Sequence, residues 1–149
     1  MKETEAVGHA LGIQIQSLNV GHRLDELEDA FSTISQERPD GLMVATNHPL
    51  IRRHRARIAE FAVKRRLPAI YTRSRFVRAG GLMSYSADRQ QLFRRAATYV
   101  DKILKGAKPV DLPVERPTKF ALVINLKTAN QIGVTISPAV LLQATKVIR

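Results

Sequence analysis

The stretch that decides the fold is GLMVATNHPLIRRHRARIAEFAVKRRLPAIY, residues 41–71. Residues 41–45 are a short apolar run of the kind found in strands covered on both faces, and residues 68–71 are another. Between them, residues 50–66 predict one helix, because Leu50, His54, Ile58, Phe61 and Ala62 share a stripe at helical spacing. A strand, a helix and a second strand within about thirty residues is the unit from which parallel sheets are assembled.

The pattern continues on both sides. Upstream, Ala6, Ala10 and Leu11 recur at helical spacing and Gly12 predicts a stop. Residues 13–18 then alternate Ile and Gln as a strand would, and Leu24, Leu27, Phe31 and Ile34 fall on one face of a helix over residues 23–37, which Pro39 ends. Downstream, a short segment around residues 74–79 leads to a Gly80-Gly81 turn and a strand over residues 82–86. Asp88 with Gln91 resembles a capping box, and Leu92, Ala96, Tyr99 or Val100, and Ile103 carry a helix to Gly106. Residues 108–117 hold three prolines and no periodicity, so they read as a linker. Residues 120–124 predict a strand, Asn125 caps a short helix ended by Gly133, and Ser137-Pro138 opens a last helix through Val140, Leu141, Ala144 and Val147. The whole predicts an α/β fold, an open, mostly parallel sheet flanked by helices.

Composition narrows the chemistry. At 149 residues and 44% hydrophobic content, the chain has material for one globular core. It has no cysteine, and its four histidines lack ligand spacing, so neither a disulfide framework nor a metal site is expected. No apolar run is long enough to span a membrane, and residues 1–10 carry acids where an export signal carries a basic segment. As written, the chain is expected to be soluble and cytoplasmic.

The net charge of +11 is unevenly spread. Residues 1–49 hold three basic and eight acidic side chains, residues 50–78 ten and one, and residues 79–149 eleven and four. The block of Arg52, Arg53, Arg55, Arg57, Lys64, Arg65, Arg66, Arg73, Arg75 and Arg78 supports an alternative reading, a basic nucleic-acid-binding protein. Against it, the cations spread around the helix and few aromatic residues accompany them for stacking on bases. No nucleic-acid partner is expected.

In open parallel sheets, ligands sit outside the carboxyl ends of the strands. Those ends carry Thr46, Asn47 and His48, then Tyr71, Thr72 and Arg73, then Ser84, Tyr85, Ser86 and Asp88. Hydroxyls, an amide and two phenol rings suit a small polar molecule with a face to be covered. The expected ligand-binding residues are Asn47, Tyr71, Thr72, Ser84, Tyr85 and Asp88, although loop residues of these types also serve local backbone groups. The nucleophile elbow, the phosphate-binding loops and the H-E-x-x-H pair are all missing, so no enzyme activity, catalytic residue or cofactor is expected.

Longer segments carry a resemblance. RLPAIY (66–71), AGGLMSY (79–85), AATYVDKILKGAKPVDLPVERPTKF (96–120), LVINLKTA (122–129) and GVTI (133–136) closely resemble the substrate-binding proteins of the tryptophan/tyrosine-type ABC-transporter family. That family is similar to type I periplasmic binding proteins, whose two α/β lobes close on a small solute. The resemblance implies an amino acid or related solute, a permease and its ATPase as partners, and a periplasmic location. It assigns residues 1–87 and 118–149 to the second lobe, and residues 88–117 to a helix and crossing segment belonging to the first. It also implies that the lobe's first strand, between residues 13–18 and 41–45, and the first lobe lie outside this sequence. The chain alone is then expected to be inactive, and to self-associate through the helix within residues 88–106.

Overall fold

A computed structural model describes residues 2–46 and 48–149, and the chain divides into two compact units, Met1–Arg38 and Pro39–Arg149. The first unit holds helices α1 (Lys2–Ala10) and α2 (Leu24–Glu37). α1 ends as its glycine predicts, with Gly12 at φ +69° and the Ile13 N–H donating to the Gly8 carbonyl at 2.8 Å. Residues 13–18 form no strand, which corrects the expectation from their alternation. A strand exists only as part of a ladder, and none among the described residues pairs with this segment, so Ile13, Ile15 and Leu18 stay exposed. α2 buries Leu27 and Ala30 and closes at Arg38, in the left-handed conformation, just before Pro39.

The second unit is built on five strands: β1 (Leu42–Val44), β2 (Ala69–Tyr71), β3 (Met83–Ala87), β4 (Phe120–Asn125) and β5 (Lys146–Ile148). They lie in the order β1-β2-β3-β4-β5, parallel except for the antiparallel β3–β4 pair. The open, mostly parallel sheet flanked by helices is therefore the observed fold. The connection from β1 to β2 is two helices, α3 (Pro49–Arg53) and α4 (Arg55–Lys64), because His54 leaves helical geometry between them. Their buried residues are Ile51, Ile58, Ala59 and Ala62, so of the expected stripe Leu50, His54 and Phe61 are only half-buried. The segment after β2 is itself a helix, α5 (Ser74–Arg78).

α6 (Arg89–Leu104) is capped as predicted, Asp88 Oδ1 accepting from the N–H groups of Gln90 at 2.9 Å and Gln91 at 3.3 Å. It buries no residue, and Phe93, Val100 and Leu104 are exposed. Its fastenings are polar: Arg95 donates to both carboxylate oxygens of Glu115, and the Tyr99 hydroxyl donates to the Pro113 carbonyl. The guanidinium of Arg95 holds the Glu115 carboxyl below the usual carboxylate range.

The chain then passes through α7 (Leu126–Ile132) and α8 (Pro138–Leu142). α8 stops at Leu142, and Lys146–Ile148 pairs with β4, so the expected run of the last helix to Val147 is corrected. The free edge of β4 supplies a ladder that Val147 and Ile148, both β-branched, fill readily.

The core centres on the β2–α5–β3 crossover. The Tyr71 ring stacks on Phe76 with centroids 4.7 Å apart and planes 11° apart, and both residues are buried. Gly81 lies against this pair, where an added Cβ would stand 2.5 Å from Tyr71 Cε2 and 3.0 Å from the Phe76 carbonyl oxygen. At the far end of β4, Asn125 accepts from the Thr128 N–H at 3.2 Å and Thr128 Oγ1 donates to the Gly80 carbonyl at 2.9 Å, so the buried Thr128 of α7 fastens the same crossover.

Gly81→Ala is expected to lower stability by about 1–3 kcal/mol, the usual cost of forcing volume into a packed site. Gly41→Ala is the control, since its Cβ would meet only the Pro68 carbonyl oxygen at 3.6 Å, an ordinary contact. Thermal unfolding of the two variants checks the contrast.

Candidate functional site

β1 and β2 end side by side, with Val44 level with Tyr71, and Tyr71 is level with Ser84 of β3. β3 runs on through Tyr85, Ser86 and Ala87, and β4 joins it there from Phe120. A two-stranded ribbon therefore projects past the carboxyl ends of β1 and β2. Alternation along the strands puts Tyr85, Leu122 and Phe120 on one face of this ribbon. Exposure on that face rises from Ile124 at 0% to Phe120 at 48% and Tyr85 at 51%. The two rings are stacked, 5.3 Å between centroids and 10° between planes.

The six residues expected to bind ligand are placed differently from one another. Asn47 lies outside the described residues. Thr72 is half-buried just beyond β2, and Tyr85 stands on the open ribbon. Asp88 sits at the ribbon's tip, its carboxylate engaged in capping α6 and its N–H donating to the Lys119 carbonyl at 2.9 Å. Tyr71 and Ser84 are inside the unit, each 1% exposed. Both of their hydroxyls are buried without a hydrogen-bond partner among the described residues, and burial pushes the Tyr71 phenol well above its ordinary pKa. Of the six, Thr72, Tyr85 and Asp88 share the accessible strand end.

Phe120 was missed. A strand parallel to its neighbours would carry its first residue to the opposite end of the sheet, and only the antiparallel β4 brings Phe120 beside Tyr85. The signal present was the proline-rich approach to β4, whose sense of return leaves no mark in residue spacing.

The neighbouring loops add few charges. Arg73 is half-buried two residues beyond β2, and its side chain has no acidic or hydrogen-bonding partner among the described residues. His48 Nδ1 accepts from the Leu50 N–H at 3.4 Å, capping α3, and the Thr46 hydroxyl accepts from the His48 N–H at 3.2 Å. Arg52, Arg53, Arg55, Arg57, Lys64, Arg65, Arg66, Arg75 and Arg78 are exposed on and around α3, α4 and α5. Some are engaged locally: Lys64 pairs with Glu60 at 2.7 Å and holds that carboxyl below its usual range, and Arg65 lies 5.9 Å from the Phe61 ring centre. Among the described residues, no three His, Asp or Glu side chains are grouped to hold a metal ion, and no helix is long and apolar enough to cross a membrane.

Comparison with known proteins agrees with this architecture. A family model described as ABC transporter substrate binding protein matches residues 1–148. A conserved domain protein from Vibrio cholerae is similar at 25% identity and a TM-score of 0.82, covering 99% of this chain and 49% of that one. An ABC domain from Streptococcus pneumoniae, solved in complex with L-Trp, is similar at 26% identity and a TM-score of 0.82, with the same shares covered. A ligand-free, open substrate-binding protein with adhesive properties from Clostridium difficile shares the fold at 17% identity and a TM-score of 0.74, covering 99% and 48%. This chain thus spans about half the length of the solved structures it matches. No curated protein matches it.

The buried position of Tyr71 separates packing from binding. Tyr71→Phe removes a hydroxyl that has no partner among the described residues and is expected to stabilise the fold by about 1 kcal/mol, the scale of the penalty for an unsatisfied buried group. A rise of a few degrees in the unfolding midpoint checks this.

Proposed function

Since the chain belongs to the ABC transporter substrate-binding protein family, we propose that it holds a small solute at the carboxyl ends of its strands, as one wall of a cleft. The solute is an amino acid or related compound of the tryptophan/tyrosine type, and the L-Trp complex of the Streptococcus pneumoniae relative supports that class. The protein hands its solute unchanged to a membrane permease driven by an ATPase, outside the cytoplasmic membrane.

The observation that carries this reading is the projecting ribbon, which presents the half-exposed Tyr85 beside the polar ends of β1 and β2. Small-solute sites combine an apolar surface that covers the ligand with a few polar groups that orient it. Thr72, Tyr85 and the backbone at Asp88 supply this wall, while Tyr71 and Ser84 support it from beneath.

A single wall leaves one side of the solute in water. The opposing wall is assigned to a first lobe, together with residues 88–117, and residues 1–87 and 118–149 to the second. The exposed apolar side of α6, with Phe93, Val100 and Leu104 uncovered among the described residues, supports this division. Closing the two lobes buries the solute, and affinity arises from contacts on both sides.

Calorimetry tests the reading directly. The chain alone is expected to give no micromolar binding of L-tryptophan or L-tyrosine, and binding is expected to appear once a first lobe is joined to it. Micromolar binding by the monomeric chain would overturn the two-lobe reading. In the two-lobe protein, Tyr85→Ala is expected to weaken solute binding by about 1–3 kcal/mol, whereas Arg52→Gln, Arg53→Gln and Arg57→Gln together are expected to leave it within about 0.5 kcal/mol.

A further inference from the structure

We infer that the arginine-rich layer formed by α3, α4 and α5 is a docking face for an anionic lipid bilayer, held there by charge alone. The choice of a bilayer rests on the receptor reading above, which sets the protein beside a membrane permease. The docking itself is separate from the solute site and is measured without solute.

The fold gathers cations that the sequence leaves scattered. β1, β2 and β3 are neighbours in that order and parallel, so two right-handed crossovers set α4 and α5 on the same face of the sheet. There α4 packs against α5, and α3 against α4. α4 buries Ile58, Ala59 and Ala62, and α5 buries Phe76 and Val77. Helical spacing then puts Arg57 and Lys64 on the outer side of α4, and Arg75 and Arg78 on the outer side of α5. Arg52 and Arg53 on α3, and Arg55, Arg65 and Arg66 at the two ends of α4, are exposed around them.

Charge on this layer is almost all of one sign. From Pro49 to Arg78 the single acid is Glu60, which pairs with Lys64 at 2.7 Å. Arg52, Arg53, Arg75 and Arg78 have no acidic partner among the described residues. All the exposed cations of the layer except Lys64 are arginines, whose forked N–H donors match phosphate oxygens.

The rest of the surface selects the partner. Among the described residues, no large hydrophobic side chain between Met43 and Tyr85 is exposed. The layer therefore lacks the aromatic and aliphatic anchors that centre a protein interface, and it lacks rings for stacking on unpaired bases. What remains is attraction to a surface dense in phosphate. A duplex is read by one helix or ribbon laid in a groove, whereas these cations lie on three helices and at helix ends. The broad anionic plane of a bilayer meets such a spread together. With nothing to insert, the attachment is shallow, reversible and screened by salt. It confines the protein to the plane in which a permease lies.

Sedimentation of the 149-residue chain with lipid vesicles tests this. The chain is expected to pellet at low salt with vesicles of phosphatidylglycerol and phosphatidylcholine in equal parts, and to stay in solution with phosphatidylcholine alone. Salt at about 1 M, where the screening length is about 3 Å, is expected to release it. Arg75→Gln with Arg78→Gln is expected to weaken vesicle binding roughly tenfold, and adding Arg52→Gln and Arg53→Gln to weaken it by about a further tenfold, with unfolding midpoints unchanged. Arg94→Gln with Lys108→Gln removes the same charge from α6 and the segment after it, and is expected to change binding by less than about twofold. Failure to pellet with the mixed vesicles would overturn the inference. Equal weakening by the two pairs would refute the assignment to this layer and leave net charge as the cause. Tighter binding to a short duplex DNA than to the mixed vesicles, at matched phosphate concentration, would put nucleic acid in place of the bilayer. The receptor reading is judged by calorimetry with solute, so the two fail by different measurements.

Discussion

The packing of the Tyr71 ring against Phe76, with Gly81 pressed beneath it, is the constraint on which the rest of the second unit depends. It fixes how β2 turns through α5 into β3, and so fixes the level at which the parallel strands stop. Every accessible group at the strand end, from Thr72 to the ribbon, takes its position from that one close approach. α7 reinforces it from the other side, through the Thr128 hydroxyl on the Gly80 carbonyl and the Asn125 side-chain amide donating to the Val77 carbonyl at 3.4 Å. The same requirement explains the two buried hydroxyls. Tyr71 and Ser84 occupy a layer thick with backbone already paired in the ladder, so shape is satisfied there and hydrogen bonding is not.

Much of this was legible in the sequence because local signals and the final fold agree. Pro39, the Gly80-Gly81 turn, Asp88, Asn125 and Gly133 each mark a boundary within a residue or two of where it falls. The failures share a cause. Residues 13–18 have the alternation of a strand but no ladder partner among the described residues, and Lys146–Ile148 has too little pattern to announce itself until β4 offers an edge. Strand formation is settled by what lies alongside, which a linear pattern does not record. The split of the 50–66 helix at His54 is a subtler case, because the stripe continues in register closely enough to hide the break.

The candidate site was legible to a lesser degree. The rule that ligands gather at strand carboxyl ends points to particular loops, yet it does not say which side chains face in. Alternation does, once register is known: Ser84 faces inward because Tyr85 faces out. Phe120 was out of reach, since its nearness to Tyr85 depends on β4 running backward relative to β3. The family and the matched structures agree with the fold, and which strand-end side chains are accessible follows from register and exposure.

The margins of the sheet have a bearing on how this protein behaves at high concentration. Its outermost strands, β1 and β5, are three residues each. A foreign chain laid against either margin finds only a few backbone donors and acceptors, and brevity at the border is one way natural sheets resist fibrous growth. The greasy flank of α6 has no such directionality. The sheet's margins therefore give ordered polymerisation little to build on.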